Sequence, residues 1–163
     1  VHTSAITIGE EEGVTGEEME LLKTAALFHD SGYLMGTDRH EFAGCALARE
    51  HLPRFGYDVE QVETVCSLIM ATEVPQRPTD KLSEILCDAD LDYLGRADFF
   101  RIGNLLFQEL KSRGAINTER EWNELQVRFL SGHNYFTATC KRLREPVKQK
   151  HLAEVRQWLA THP

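Results

Sequence analysis

The sequence predicts an all-α protein. Three observations carry that expectation: apolar residues recur at helical spacing in one segment after another, no stretch alternates apolar and polar with period two, and capping signatures open several of the periodic segments. There is no fixed-period repeat. A chain of 163 residues is long enough to bury a proper core, and a single domain over 1–163 is expected. The composition, 42% hydrophobic and 27% charged, excludes a disordered chain. Seven to eight helices packed as a compact bundle are predicted.

Residues 1–13 read as a helix in which Val1, Ala5, Ile8 and Gly9 share a face and which Gly13 stops. The chain starts inside this element, so the helix is expected to be truncated at its N-terminus. Thr15 with Glu18 forms a capping box that opens the second helix. Its Leu21, Leu22, Ala25, Ala26, Leu27 and Phe28 make a nearly all-apolar surface, so this helix is expected to be buried on most sides. It runs directly into His29, Asp30 and Gly32, and a polar loop follows through Gly36. Asp38 with Glu41 opens a third helix through Phe42, Cys45, Ala46, Arg49 and Leu52 to about Phe55, where Gly56 ends it.

Asp58 with Gln61 opens a fourth, carrying Val62, Val65, Leu68, Ile69 and Ala71, before Pro75 and Pro78 impose an irregular stretch. A fifth runs from about Thr79 through Leu82, Ile85 and Leu86 to Asp90 and beyond, and Gly95 breaks it. A sixth over 98–112 has Phe99, Ile102, Leu105, Leu106 and Leu110 as its core stripe. Thr118 with Glu121 opens a seventh, with Trp122, Leu125, Phe129 and Leu130 inward, and the last helix spans 134–159 with a bend at Pro146.

A net charge of −8 works against a nucleic-acid backbone as the main partner but leaves a local basic pocket for a small phosphate ester possible. No apolar run is long enough to cross a bilayer, and no signal-peptide pattern opens the sequence. Cys45, Cys66, Cys87 and Cys140 form no CxxC pair and sit among apolar neighbours. Buried free thiols in a reducing compartment, the cytoplasm, are expected. Nothing in the pattern sets an oligomeric state.

The chemistry concentrates where the apolar second helix meets His29 and Asp30. Burying an ionised carboxylate without a partner is costly, and imidazole nitrogen and carboxylate oxygen together suit a divalent cation. The plain alternative is an ordinary helix end, with His29 capping carbonyls and Asp30 paired to an arginine. A second acidic cluster inside an apolar helix favours the cation. Asp88, Asp90 and Asp92 follow Ile85-Leu86-Cys87 with no turn signal, so at least one must point inward. Asp88 and Asp92 share one helix face and Asp90 lies opposite, so the inward group is either Asp90 alone or the other two.

Ala-Ala-Leu-Phe-His29-Asp30-Ser-Gly-Tyr and Cys-Asp-Ala-Asp90-Leu-Asp-Tyr-Leu-Gly resemble the signature of the HD-domain superfamily of metal-dependent phosphohydrolases, over about residues 1–100. The resemblance implies a helical domain in which a leading histidine, a His-Asp pair and a distant aspartate surround one metal. His29, Asp30 and Asp90 are the implied ligands. His2 is the leading histidine available in the chain, while the register of Val1, Ala5, Ile8 and Gly13 puts that ligand just upstream of Val1. His40 is similar to the first extra histidine of two-metal members, but Ala71-Thr72 offers no strong ligand where the second belongs. A single divalent metal is therefore implied, with manganese, nickel, cobalt, iron, magnesium and zinc all compatible, and His40 becomes a contact to the substrate or to the metal's ligands. Tyr33 stands where many relatives carry a phosphate-binding lysine.

The implied function is hydrolysis of a phosphoester in a small phosphorylated metabolite, a nucleotide or cyclic nucleotide, with water activated on the cation. Asp30 and Asp88 are the candidate catalytic carboxylates. His133, Arg142 and Lys148 are candidates for binding the anionic substrate, helped by a helix start. A non-catalytic metal- or nucleotide-binding regulatory or sensor module is the competing expectation.

Overall fold

The computed structural model describes residues 1–36 and 39–162. Among these the fold is all-α, with nine α-helices and no strand: α1 (His2–Glu11), α2 (Gly16–Phe28), α3 (His40–His51), α4 (Val59–Ala71), α5 (Lys81–Asp90), α6 (Phe99–Ser112), α7 (Glu119–Gly132), α8 (Ala138–Leu143) and α9 (Glu145–Thr161). Three 3-10 turns, Ser31–Leu34, Leu52–Phe55 and Asp92–Gly95, complete the regular structure. No helix among the described residues is long and apolar enough to cross a membrane. The chain divides into two compact units, one of residues 1–91 with 136–139, the other of residues 92–135 with 140–163.

The first unit is built around α2, which packs on α1, α3, α4 and α5. Leu22 and Ala25 of α2 are wholly buried with Ala5, Ala48, Val65, Ile69, Ile85 and Leu86. Each large aliphatic side chain so buried contributes about 1.5–3 kcal/mol. Small residues let the helices approach: a Cβ on Gly9 would stand 2.9 Å from Met19 Cε and 3.1 Å from Leu22 Cδ2. Leu27, however, is exposed, so α2 is buried on one broad face rather than on most sides.

Among the described residues side-chain caps open three helices, α4, α5 and α7, and other starts depart from expectation. The Asp58–Gln61 capping box is present on α4, and Asp80 with Ser83 makes a second on α5, beginning two residues later than expected. Thr118 accepts from the Glu121 N–H, while Glu121 reaches back to the Asn117 N–H. Thr15 stands at the N-cap of α2 without a side-chain cap bond, because Gly16 enters at φ +58° and distorts the first turn on which the box depends. The expected cap at Asp38 lies outside the described residues. The N-cap of α3 is Arg39, in the left-handed region at φ 55°. Its buried face is Glu41, Gly44, Cys45 and Ala48, and Phe42 and Ala46 are exposed.

In the second unit α6 buries Phe99, Gly103 and Phe107, an i, i+4, i+8 row, and leaves Leu105 and Leu106 exposed. Aromatic packing selects that row: Phe99 stacks on His151 of α9 at 4.6 Å and Phe107 on Trp122 of α7 at 6.1 Å. A single helix over 134–159 does not form. Residues 133–137 are irregular, α8 is short, and Pro146 sits in the first turn of α9, where its missing N–H costs nothing and its ring meets no preceding turn.

Candidate metal centre

Two helix ends and one helix start make the site. The last turn of α2 is closed by the residues that follow it: the His29 backbone N–H donates to Ala25 O, His29 Nδ1–H donates to Ala26 O at 2.9 Å, and Ser31 Oγ donates to Phe28 O at 2.7 Å. These bonds take up carbonyls a helix end leaves open and fix the imidazole plane. Asp90 is the last residue of α5 and His40 the first of α3.

His29 Nε2 lies 3.1 Å from Asp30 Oδ2 and 3.4 Å from Asp90 Oδ1. It is buried and lacks a hydrogen bond of good geometry. With Nδ1 carrying the proton given to Ala26, a neutral ring turns its Nε2 lone pair onto two carboxylate oxygens. That arrangement is repulsive unless a proton or a cation stands among the three atoms. Burial opposes charging the ring, but the hydrogen bonds and charges of Asp30 and Asp90 outweigh it and raise His29 to about 10. Burial likewise works to raise Asp30. The His29 hydrogen bond and charge, with the charge of His40, hold it below the ordinary carboxylate range.

The donor set fits a divalent cation. One imidazole nitrogen and two carboxylates are its ordinary ligands, and adjacent ligands on bonds of about 2.1 Å stand about 3 Å apart, close to the spacing found. Among the described residues no group of three or more His, Cys, Asp or Glu side chains stands in an arrangement that could hold a metal ion as it is, so the fit rests on the orphaned Nε2 and the chemistry of its neighbours.

His40 joins this group from the outer side. Its Nε2 is 3.6 Å from Asp30 Oδ1 and 3.1 Å from Glu41 Oε1, so Asp30 spans the two histidines with its two oxygens. Glu41 is buried, and sequence reasoning gave it only a capping role. The adjacent His-Glu pair was the available signal. His2, at the start of α1, is half-buried, and no hydrogen bond or ion pair joins it to His29, Asp30 or Asp90 among the described residues.

Three expected roles need correction. Asp88 is fully buried and points away from this group: Oδ1 accepts from the Phe136 N–H at 2.9 Å, and Oδ2 from the Thr137 N–H at 2.8 Å and the Thr137 hydroxyl at 2.6 Å. Its oxygens hold a loop, so it is a structural anchor rather than a general base. Asp92, buried, accepts from Arg144 Nε at 2.5 Å within the second unit. Lys148 is buried, with Nζ donating to His133 O at 2.5 Å and lying 2.9 Å from Glu145 Oε2, so its charge is already matched and is not offered to a phosphate. His133, half-buried beside it, is pushed down to about 4 by burial and then by the Lys148 charge. It stays neutral near pH 7 and is a poor anion ligand. Arg142 is exposed on α8.

Residues 1–92 match the family described as HD domain. No curated protein and no solved structure matches the chain. A family match over more than half the chain, on residues that include the His29, Asp30 and Asp90 group, places this chain in the HD-domain family, whose members are mostly metal-dependent phosphohydrolases.

Proposed function

We propose that the protein hydrolyses a phosphoester bond in a small phosphorylated metabolite, a nucleotide or cyclic nucleotide, with one divalent cation held by His29, Asp30 and Asp90. The observation that carries this reading is the buried His29 Nε2, aimed at two carboxylate oxygens with no good hydrogen bond of its own. Within the chain, His2 is the candidate for a further ligand. When bound, the cation supplies Lewis acidity, lowering the pKa of water and neutralising phosphoryl charge.

The protein's own groups orient and move protons around it. The Nδ1–H bond to Ala26 O keeps the His29 ring from turning. The Asp30 side chain is 56% exposed and so is the carboxylate that an incoming phosphoester meets. His40, between Asp30 and Glu41, can hold a proton at Nε2 and release it to a departing alkoxide. Four free, buried cysteines suit a reducing compartment, the cytoplasm.

A second reading rests on the same contacts: a proton on His29 Nε2, 3.1 Å from Asp30 Oδ2 and 3.4 Å from Asp90 Oδ1, satisfies both carboxylates without a metal, as a regulatory module without turnover would. Phosphate release across a panel of nucleotides and cyclic nucleotides, each with manganese, nickel, cobalt, iron, magnesium or zinc, separates the two. Turnover with at least one metal supports the hydrolase. Metal or nucleotide binding without release under every metal supports the module.

A further inference from the structure

Gly32 has no room for a side chain. A Cβ there would lie 1.8 Å from the His40 carbonyl oxygen and 2.8 Å from the Gly44 nitrogen. The Ser31–Leu34 turn therefore lies backbone against backbone on the first turn of α3. That contact fixes the next residue. The Tyr33 ring stacks on the His40 imidazole with centroids 4.0 Å apart and planes 16° from parallel. His40 Nε2 in turn stands 3.6 Å from Asp30 Oδ1. A carboxylate, an imidazole and a phenol ring thus follow one another outward from the metal centre.

The outer end of this series is open to solvent. Tyr33 is 49% exposed, and Leu34 and Met35 after it are 85% and 73% exposed. Three consecutive large apolar side chains in water beside a charged cluster serve no core, and such patches mark binding surfaces. A neutral phenol offers a phosphate no charge. It offers a planar face, on which any nucleobase stacks whatever its sequence identity.

We propose that Tyr33 is a specificity-determining residue of this site: its ring, fixed by Gly32 and His40, stacks on the base of a nucleotide, so the site takes phosphoesters that carry a planar aromatic group in preference to plain sugar phosphates. The inference rests on the phosphohydrolase reading for the position of the phosphate. The cation of the proposed function, and not the carboxylate-rich group itself, would place the phosphate at His29, Asp30 and Asp90, and the apolar series places the base beyond His40.

Calorimetric titration of the manganese-loaded protein with adenosine 5′-monophosphate and with ribose 5-phosphate tests it on the wild type, Tyr33→Ala and Tyr33→Phe. The wild type is expected to bind the nucleotide about tenfold or more tightly than the sugar phosphate, the size of one base-stacking contact. Tyr33→Ala should close most of that gap by weakening the nucleotide, and Tyr33→Phe should keep it. Equal affinity for the two ligands in the wild type, no nucleotide binding, or an equal loss for both in Tyr33→Ala overturns the inference. The last outcome would make Tyr33 a prop for His40. Phosphate release, followed separately on the same samples, bears on the hydrolase reading: a retained affinity gap without release leaves base recognition standing and removes the hydrolase.

Discussion

His29 Nε2 and Asp90 Oδ1 meet at 3.4 Å, the end of α2 against the end of α5. If one cation joins them, either side chain is indispensable to it. Metal content measured by mass spectrometry on purified protein should fall sharply for His29→Ala and Asp90→Ala, by more than the roughly 10–100-fold affinity loss typical of groups that merely support a ligand. His2→Ala should lose much less. Equal emptying by His2→Ala would make His2 a ligand of the same rank.

Asp88 carries no catalytic load in this geometry, and its removal should show in stability. Asp88→Ala leaves the Phe136 and Thr137 N–H groups without their acceptor, at about 1–3 kcal/mol each. A total loss of about 3–5 kcal/mol is expected in denaturant unfolding, with metal content of the folded fraction unchanged. Full stability with lost turnover would restore Asp88 as a base.

Gly32→Ala forces a Cβ into the His40 carbonyl, a backbone atom that cannot swing aside. A cost of about 4 kcal/mol or more is expected. Gly114→Ala, at φ +71° with open space around it, should cost about 1–2 kcal/mol from backbone strain alone. A milder effect at Gly32 than at Gly114 would mean the turn is not held against α3.

His133 makes stability fall with acid. Its folded value of about 4 lies below the ordinary 6.5, so above pH 6.5 both folded and unfolded chains are neutral there and nothing is lost. Between 6.5 and 4 the unfolded chain takes up a proton that the folded one refuses, and stability drops as pH falls. Denaturant unfolding at pH 7 and pH 5 should show His133 contributing a loss of about 2 kcal/mol. The His133→Asn variant should lack that component; an identical pH slope would refute it.

All four thiols are buried, and burial raises Cys45 and Cys87 to about 12. In native protein at pH 8 a thiol reagent such as dithionitrobenzoate should therefore react at the rate of unfolding, and at once in denaturant. Fast titration of any thiol in the native protein would place it at the surface.

Much of the fold was readable because it is local. Apolar spacing set α2 and α4, Asp58 and Gln61 set the start of α4, and His29-Asp30 with the Asp90 segment carried the family resemblance. Misreadings fell where a local pattern had two solutions. Leu105 and Leu106 are as apolar as Phe107, and only the Trp122 ring selects which row of α6 is buried. Pro146 fits a kink or a helix start equally well in sequence, and the irregular stretch before α8 follows from bonds that Phe136 and Thr137 make to a residue far away in the chain.

The site divides along the same line. By itself the sequence determined the helical class, the adjacency of His29 and Asp30 at the end of an apolar helix, and the presence of an aspartate inside a second one. Spacing left open which of Asp88, Asp90 and Asp92 points at the pair, because residues two apart lie on opposite helix faces and nothing in the spacing says which face is inward. Tertiary packing decided it: α5 lies on α2 with Asp90 toward His29 and Asp88 toward the Phe136–Thr139 segment. The same packing laid Tyr33 on His40, a contact that depends on Gly32 having no side chain where two backbones touch.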